Sequence, residues 1–105
     1  MKEGNAAVLV MKKVLGTGKE IDKRKFLCEV LRYDSKQETI YLVMKKDVLP
    51  AISLDAIYEC NIKEEENLIA CTGRVQERYY NEHGKILKLK IKNGFYKINV
   101  KSVDK

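Results

Sequence analysis

Two arginines four residues apart, Arg74 and Arg78, are the pair in this chain best suited to hold a phosphate-bearing ligand. Positions four apart lie on the same side of an extended segment, and an arginine can bind phosphate or carboxylate oxygens through two parallel hydrogen bonds. Further basic and aromatic residues follow in the chain: Tyr80, Lys88, Lys90, Lys92, Phe95 and Lys97. Such side chains on one sheet face are suited to stacking on bases and contacting phosphates. These residues form the predicted binding surface.

The distribution of charge points to the same part of the chain. Residues 1–73 contain 12 basic and 12 acidic residues, whereas residues 74–105 contain nine basic and three acidic residues and carry the whole net charge of +6. A distribution of charge this uneven favours an anionic partner, such as a nucleic acid, a nucleotide second messenger or an acidic protein. The alternative is a solvated strand face, since lysines on exposed strands also prevent edge-to-edge aggregation.

No set of residues for catalysis or metal binding can be assembled from the sequence. His83 is the only histidine, and it lies in a predicted turn with neither a nucleophile nor an orienting partner nearby. The cysteines do not form a CxxC pair, so they are interpreted as reduced thiols that fill the core: Cys28, Cys60 and Cys71. We therefore predict a protein that is not an enzyme and has neither a cofactor nor a bound metal.

Alternation of apolar and polar residues, interrupted by polar turns, predicts an all-β protein. Strands are expected at residues 7–15, 25–33, 39–44, 56–63, 68–80, 86–92 and 95–103, with an irregular connection or one helical turn at residues 47–53 around Pro50. Short strands at this spacing favour a small split β-barrel of about six to seven antiparallel strands with at most one short helix, forming a single domain over residues 1–105. An unpaired edge at the first or seventh strand would allow a second copy of the chain to pair with it, so the sequence also allows a homodimer.

Two hairpin registers follow from the turns. The dipeptide Asn93-Gly94 is the strongest short signal for a type I′ turn, which would place Lys92 opposite Phe95 and Leu89 opposite Ile98. The lysines would then share the outer face: Lys88, Lys90, Lys92, Lys97 and Lys101. The acidic turn at residues 64–67 places another set of pairs in register: Lys63 with Leu68, Cys60 with Cys71, and Tyr58 with Gly73.

The strand at residues 68–80 extends the predicted basic surface. If Val75 points inward, Arg74, Arg78 and Tyr80 point outward, and Glu77 then points inward. An inward carboxylate is unfavourable, and a β-bulge near Glu77 would relieve the conflict.

No run of about 18 apolar residues is present, so no membrane-spanning segment is predicted. The apolar run at residues 6–11 is too short for a signal peptide and is closely followed by two lysines. We therefore expect a cytoplasmic protein without a membrane partner.

Four segments carry a resemblance to a known family: "FLCEVLRYD", "TIYLVM", "DVLPAISLDAIYECNI" and "IACTGRVQERYY". Their order resembles the N-terminal barrel domain that precedes PilZ in flagellar-brake-type cyclic di-GMP receptors, over residues 25–103. The resemblance implies a small split β-barrel in the bacterial cytoplasm, with regulatory docking and no catalysis. PilZ domains bind cyclic di-GMP through RxxxR followed by [DN]xSxxG. Arg74 and Arg78 match the first half, whereas Ser102 lies one place late and no glycine follows it.

Three functions remain open on these grounds. The first is a regulatory module similar to that N-terminal domain, which binds an acidic protein partner or an anionic second messenger through its basic surface. The second is a nucleic-acid-binding small barrel of the OB or Sm-like type. The third is a structural or oligomer-forming domain whose basic surface only keeps it in solution.

Overall fold

Six antiparallel strands close into one barrel in the computed structural model, which describes residues 1–18 and 20–98. The strands are β1 (Ala6–Val14), β2 (Lys25–Asp34), β3 (Thr39–Met44), β4 (Ala56–Glu64), β5 (Asn67–Asn81) and β6 (Gly84–Ile98). A single 3₁₀ turn, Leu49–Ala51, lies between β3 and β4. The predicted fold class, an all-β barrel of six to seven antiparallel strands with at most one short helix, is confirmed.

The order of strands around the barrel is β1-β2-β3-β6-β5-β4, and β4 returns to pair with β1. The chain therefore forms two three-stranded meanders, β1 to β3 and β4 to β6, joined by the link at residues 45–55. β1 pairs with β2 on one side and with β4 on the other, so the expected free edge at the first strand does not exist. Closure satisfies the backbone groups that an edge strand would expose.

The barrel interior is filled by alternate residues from all six strands. Fully buried side chains include Leu9, Phe26, Leu42, Tyr58 and Leu89. Burial of one such side chain stabilises the fold by about 1.5–3 kcal/mol. The apolar side chains that point inward from each strand therefore favour closure of the sheet into a barrel. The link contributes Leu49 and Ile52, whose buried side chains cover one end of the barrel.

The hairpin between β4 and β5 has the predicted register. Lys63 lies opposite Leu68, Cys60 opposite Cys71, and Tyr58 opposite Gly73. Gly73 has a specific role here, because a Cβ atom added to it would lie 2.2 Å from the carbonyl oxygen of Lys90. A glycine at this position lets β6 approach β5 closely.

The predicted hairpin at Asn93-Gly94 is wrong, because β6 runs through both residues as one continuous strand. Asn93 pairs with Thr72, and Ile98 pairs with Leu68 instead of Leu89. The turn signal is local, whereas β5 is 15 residues long and offers a partner to the whole of β6. Register shifts on either side of Thr72 absorb the extra residues of β6. Lys101 and the end of the predicted seventh strand lie outside the described residues.

Within the described residues, no helix has the length and apolar character needed to cross a membrane.

Candidate anion-binding face

A β-bulge at Gln76 decides which side chains of β5 share a face. Val75 lies opposite Leu89 and Glu77 lies opposite Lys88, so Gln76 has no partner in β6. The bulge turns Glu77 outward, where its carboxylate lies 4.0 Å from the ammonium group of Lys88. The expectation of a bulge near Glu77 is therefore confirmed, and the predicted cost of burying this carboxylate is removed.

The same bulge separates the two arginines. Arg78 lies opposite the fully buried Leu87 and thus points to the interior side of the sheet, and Tyr80 follows it two residues later. The prediction that Arg74, Arg78 and Tyr80 share the outer face is wrong, because one extra residue reverses the alternation beyond it. Tyr80 is 69% exposed and lies beyond the end of the barrel core.

Both guanidinium groups bind the chain's own backbone. Arg78 Nη1 donates to the carbonyl oxygen of Ile52 at 2.6 Å. Arg74 Nε donates to the carbonyl oxygen of Leu54 at 2.8 Å, and its Nη2 lies 3.2 Å from a carboxylate oxygen of Asp55. The RxxxR pair therefore holds the link between β3 and β4 against β5, from opposite sides of the strand.

A cavity of about 440 Å³ lies beside this link at the end of the barrel. Among the described residues of its wall, Arg78 is the only basic one, and the carboxylates of Glu20, Asp22 and Asp55 lie there as well. Hydrogen bonds from Arg24 lower the pKa of Asp22, so this carboxyl group stays ionised. A wall with more negative than positive groups does not suit a phosphate.

Two lysines of β6 also donate to backbone carbonyl groups of loops. Lys85 Nζ donates to the carbonyl oxygen of Lys46 at 2.7 Å and to that of Asp47. Lys90 Nζ donates to the carbonyl oxygen of Gln37 at 2.5 Å, in the turn between β2 and β3. Cations from β5 and β6 thus hold two connections, the turn between β2 and β3 and the link between β3 and β4.

Three predicted residues do lie together on the outer surface: Arg74, Lys88 and Lys90. Lys90 lies opposite Arg74 on one side, and Lys88 lies opposite Tyr41 on the other. The structure adds Arg32, whose guanidinium carbon lies 4.2 Å from the ring centre of Tyr41. We call these five residues the basic face; it extends across β2, β3, β6 and β5.

Arg32 and Tyr41 were not predicted from the sequence to belong to this surface. They reach the basic face only because β3 pairs with β6, and no turn signal connects these two strands. The alternation in residues 39–44 does place Tyr41 on the outer side of its strand, but it does not say which strand lies beside it.

Carboxylates that are at least partly accessible to solvent lie beside three of the four cations. Asp34 is 3.9 Å from Arg32, and Glu77 and Asp55 lie close to Lys88 and Arg74 as described above. Solvent-exposed pairs of this kind are worth about 0–1 kcal/mol. Carboxylates of a partner could therefore replace them at little cost.

The remaining predicted residues do not join the basic face. Lys92 lies at a register shift between Gly73 and Thr72, and Lys97 lies opposite Ile69 near the other end of β6. Phe95 packs edge-on against Tyr33, with ring centres 5.4 Å apart, and contributes to the core. It was expected beside the lysines, but the continuous path of β6 turns its ring inward.

The cysteines lie in the core, with exposed fractions of 0–3%. Burial raises the pKa of Cys28 to about 12. Cys60 and Cys71 face each other, and the hydrogen bond between them, together with burial, raises the pKa of Cys60. Cys28 and Cys60 are therefore protonated at neutral pH, and all three buried cysteines fill the core as small side chains.

Within residues 1–18 and 20–98, no three or more histidine, cysteine, aspartate or glutamate side chains are placed to hold a metal ion. No protein-family model matches the chain, and neither the curated proteins nor the solved structures contain a significant match to it. The geometry of the molecule therefore has to support the functional argument by itself.

Proposed function

We propose that the protein is a non-enzymatic binding module that engages an acidic protein partner through the basic face. The observation that carries this proposal is the convergence of four cations from three different strands on one outer surface, where Lys90 lies opposite Arg74 and Lys88 opposite Tyr41. Closely spaced cations of this kind attract an oppositely charged partner and orient it on approach.

Carboxylates suit this surface better than a nucleotide phosphate does. Three of its cations already lie within 3.2–4.0 Å of carboxylate oxygens, so the spacing accommodates that group. The arginine pair that would hold a cyclic dinucleotide is divided between two sides of β5, and its donors bind Ile52 and Leu54. Binding of cyclic di-GMP through RxxxR is therefore disfavoured.

The resemblance to the N-terminal domain of flagellar-brake-type receptors supports the same proposal, because it implies regulatory docking without catalysis. A bacterial and cytoplasmic setting belongs to the proposal on this ground alone.

Binding of single-stranded nucleic acid is the second candidate. The observation that favours it is the stacking of Arg32 on Tyr41 beside Lys88, because aromatic rings and guanidinium planes are the surfaces on which bases stack.

Fluorescence anisotropy titrations separate these functions. The probes are a labelled peptide of alternating glutamate and glycine, a labelled short single-stranded RNA and labelled cyclic di-GMP, each at low and physiological salt. Lys88→Glu/Lys90→Glu reverses two charges of the basic face. Lys12→Glu/Lys13→Glu makes the same change at exposed positions of β1 and is the matched control.

We expect the acidic peptide to bind, and the change at Lys88 and Lys90 to abolish binding while the control retains it. RNA binding that falls steeply with salt would favour the second candidate, because each phosphate contact releases a counterion. If none of the three probes binds, the basic face is passive and the proposal fails.

A further inference from the structure

β1 is apolar on both of its faces. Ala7, Leu9 and Met11 point into the core and are buried, whereas Val8 and Val10 point outward and are only partly covered. A strand that is apolar on both faces is typical of a strand covered on both sides. Among residues 1–18 and 20–98, no element covers the outer side of β1, so this side of the strand is more apolar than its described surroundings require.

The outer side of β1 forms one wall of a groove of about 370 Å³, which we call the β1 groove. Its apolar lining residues are Ala6, Val8, Val10 and Leu68. Leu27, opposite Val8 in β2, is 43% exposed and extends the apolar surface. β1 and β6 are opposite each other in the ring of six strands, so the β1 groove and the basic face lie on opposite sides of the barrel.

The polar lining of the β1 groove is positive. Lys25 and Lys63 are part of the lining, and none of the described residues in it carries a carboxylate. The nearby carboxylates are already engaged: Glu59 accepts a hydrogen bond from the Tyr96 hydroxyl at 2.7 Å, and Glu29 lies 3.1 Å from Lys45. Among the described residues, neither Lys25 nor Lys63 takes part in an ion pair or a side-chain hydrogen bond.

We propose that the β1 groove binds a protein segment whose aliphatic side chains fill the groove and whose aspartate or glutamate side chains pair with Lys25 and Lys63. Contiguous exposed apolar surface with a polar rim is typical of a protein interaction site. Charge complementarity then selects an acidic segment. This site is independent of the basic face, and it can exist whether or not that face binds a partner.

Two features of the barrel argue against other occupants. A symmetric contact between two copies would bring the same patch together from both molecules and would place lysines near lysines. Addition of a strand to β1 is excluded because β1 is already paired on both sides. The segment must therefore dock through side chains.

The test begins with selection of short peptides from a random phage-displayed library on the purified chain. The enriched peptide is then synthesised with a fluorescent label and titrated against variants. Lys25→Glu/Lys63→Glu reverses the rim charge, and Val8→Thr/Leu68→Thr makes the groove polar. The change Lys36→Glu/Lys46→Glu, at exposed positions of two loops outside the groove lining, is the control.

We expect enriched peptides to combine aliphatic with acidic residues, and each groove variant to weaken binding by at least about tenfold, while the control binds like the wild type. Thermal unfolding shows whether each variant remains folded; the lysine variants change only exposed side chains. The proposal is overturned if no acidic, aliphatic peptide is enriched or if the groove variants bind it normally. Sedimentation that shows a dimer, dissociated by the groove variants, would identify a second copy as the occupant and would also overturn it.

Discussion

Replacement of Gly73 by alanine is expected to destabilise the barrel, because the new Cβ atom would lie 2.2 Å from the carbonyl oxygen of Lys90, where ordinary contacts begin at 3.4 Å. The carbonyl carbon of Lys90 and the Cα of Ile91 would lie at 3.0 and 3.1 Å. All three atoms belong to backbone, so no side chain can rotate away. β6 must therefore move from β5 by about 1.2 Å, at a point where strands are normally about 4.8 Å apart.

The expected loss of stability follows from this displacement of β6. A shift of that size stretches the neighbouring ladder hydrogen bonds beyond their normal length, and each contributes about 0.5–1.5 kcal/mol. Forced repacking of the core adds about 1–3 kcal/mol. We expect the free energy of unfolding to fall by about 2–4 kcal/mol and the Tm to fall by about 10–20 °C. Urea denaturation and differential scanning calorimetry measure both quantities.

Gly94→Ala is the matched control in the same pair of strands. No atom lies within 4 Å of a Cβ atom placed on Gly94, and its φ is not in the left-handed region. We expect this variant to keep the wild-type stability or to gain up to about 1 kcal/mol, since alanine reduces the entropy of the unfolded chain. If Asn93-Gly94 formed a type I′ turn, Gly94 would need a positive φ, and Gly94→Ala would destabilise the protein. Wild-type stability of Gly73→Ala, or marked destabilisation by Gly94→Ala, would refute the reasoning.

Three further measurements examine the end of the barrel and the core. Arg78→Ala should lower the free energy of unfolding by about 1–2 kcal/mol in urea denaturation, because the carbonyl group of Ile52 loses its donor; unchanged stability would contradict the structural role of Arg78. Tyr58→Phe should cost about 1–2 kcal/mol in the same assay, since the buried hydroxyl accepts a 2.9 Å hydrogen bond from the backbone N–H of Ser53; a variant as stable as the wild type would show that this bond is dispensable. Burial raises the pKa of Cys28 from 9.0 to about 12, so above pH 9 the unfolded chain loses the thiol proton while the folded chain keeps it, and stability should fall as the pH rises. The loss from this thiol amounts to about 4 kcal/mol over the whole interval, and Cys28→Ala should reduce the pH dependence of stability in denaturation curves recorded from pH 8 upward; the same slope in the variant would assign the effect to other groups.

Much of the fold could be predicted from local patterns. The alternation in residues 39–44 and 56–63 marks β3 and β4 to within one residue, because each strand presents one face to the core and one to solvent. The register of β4 with β5, including Cys60 opposite Cys71, follows from a short acidic loop between two alternating strands. The bulge near Glu77 could also be expected, since a buried carboxylate without a partner is costly.

The candidate site could be predicted only in part, because its composition depends on alternation over long strands. One unpaired residue, Gln76, sends Arg78 to the interior side of the sheet, although its spacing from Arg74 predicted a shared face. The path of β6 through Asn93-Gly94 turns Phe95 to the core, since pairing along β5 outweighs the local preference for a turn.

The sequence by itself thus determined the strand positions, the β4–β5 register and the concentration of positive charge in the last third, all of which are local properties. Only the tertiary structure decided which cations meet. The pairing of β3 with β6 places Arg32 and Tyr41 beside Lys88, and closure of the barrel turns Val8 and Val10 of β1 to its outer side. Pairing between strands distant in the chain is selected by the common burial of both inner faces, and no segment of the sequence contains that information alone.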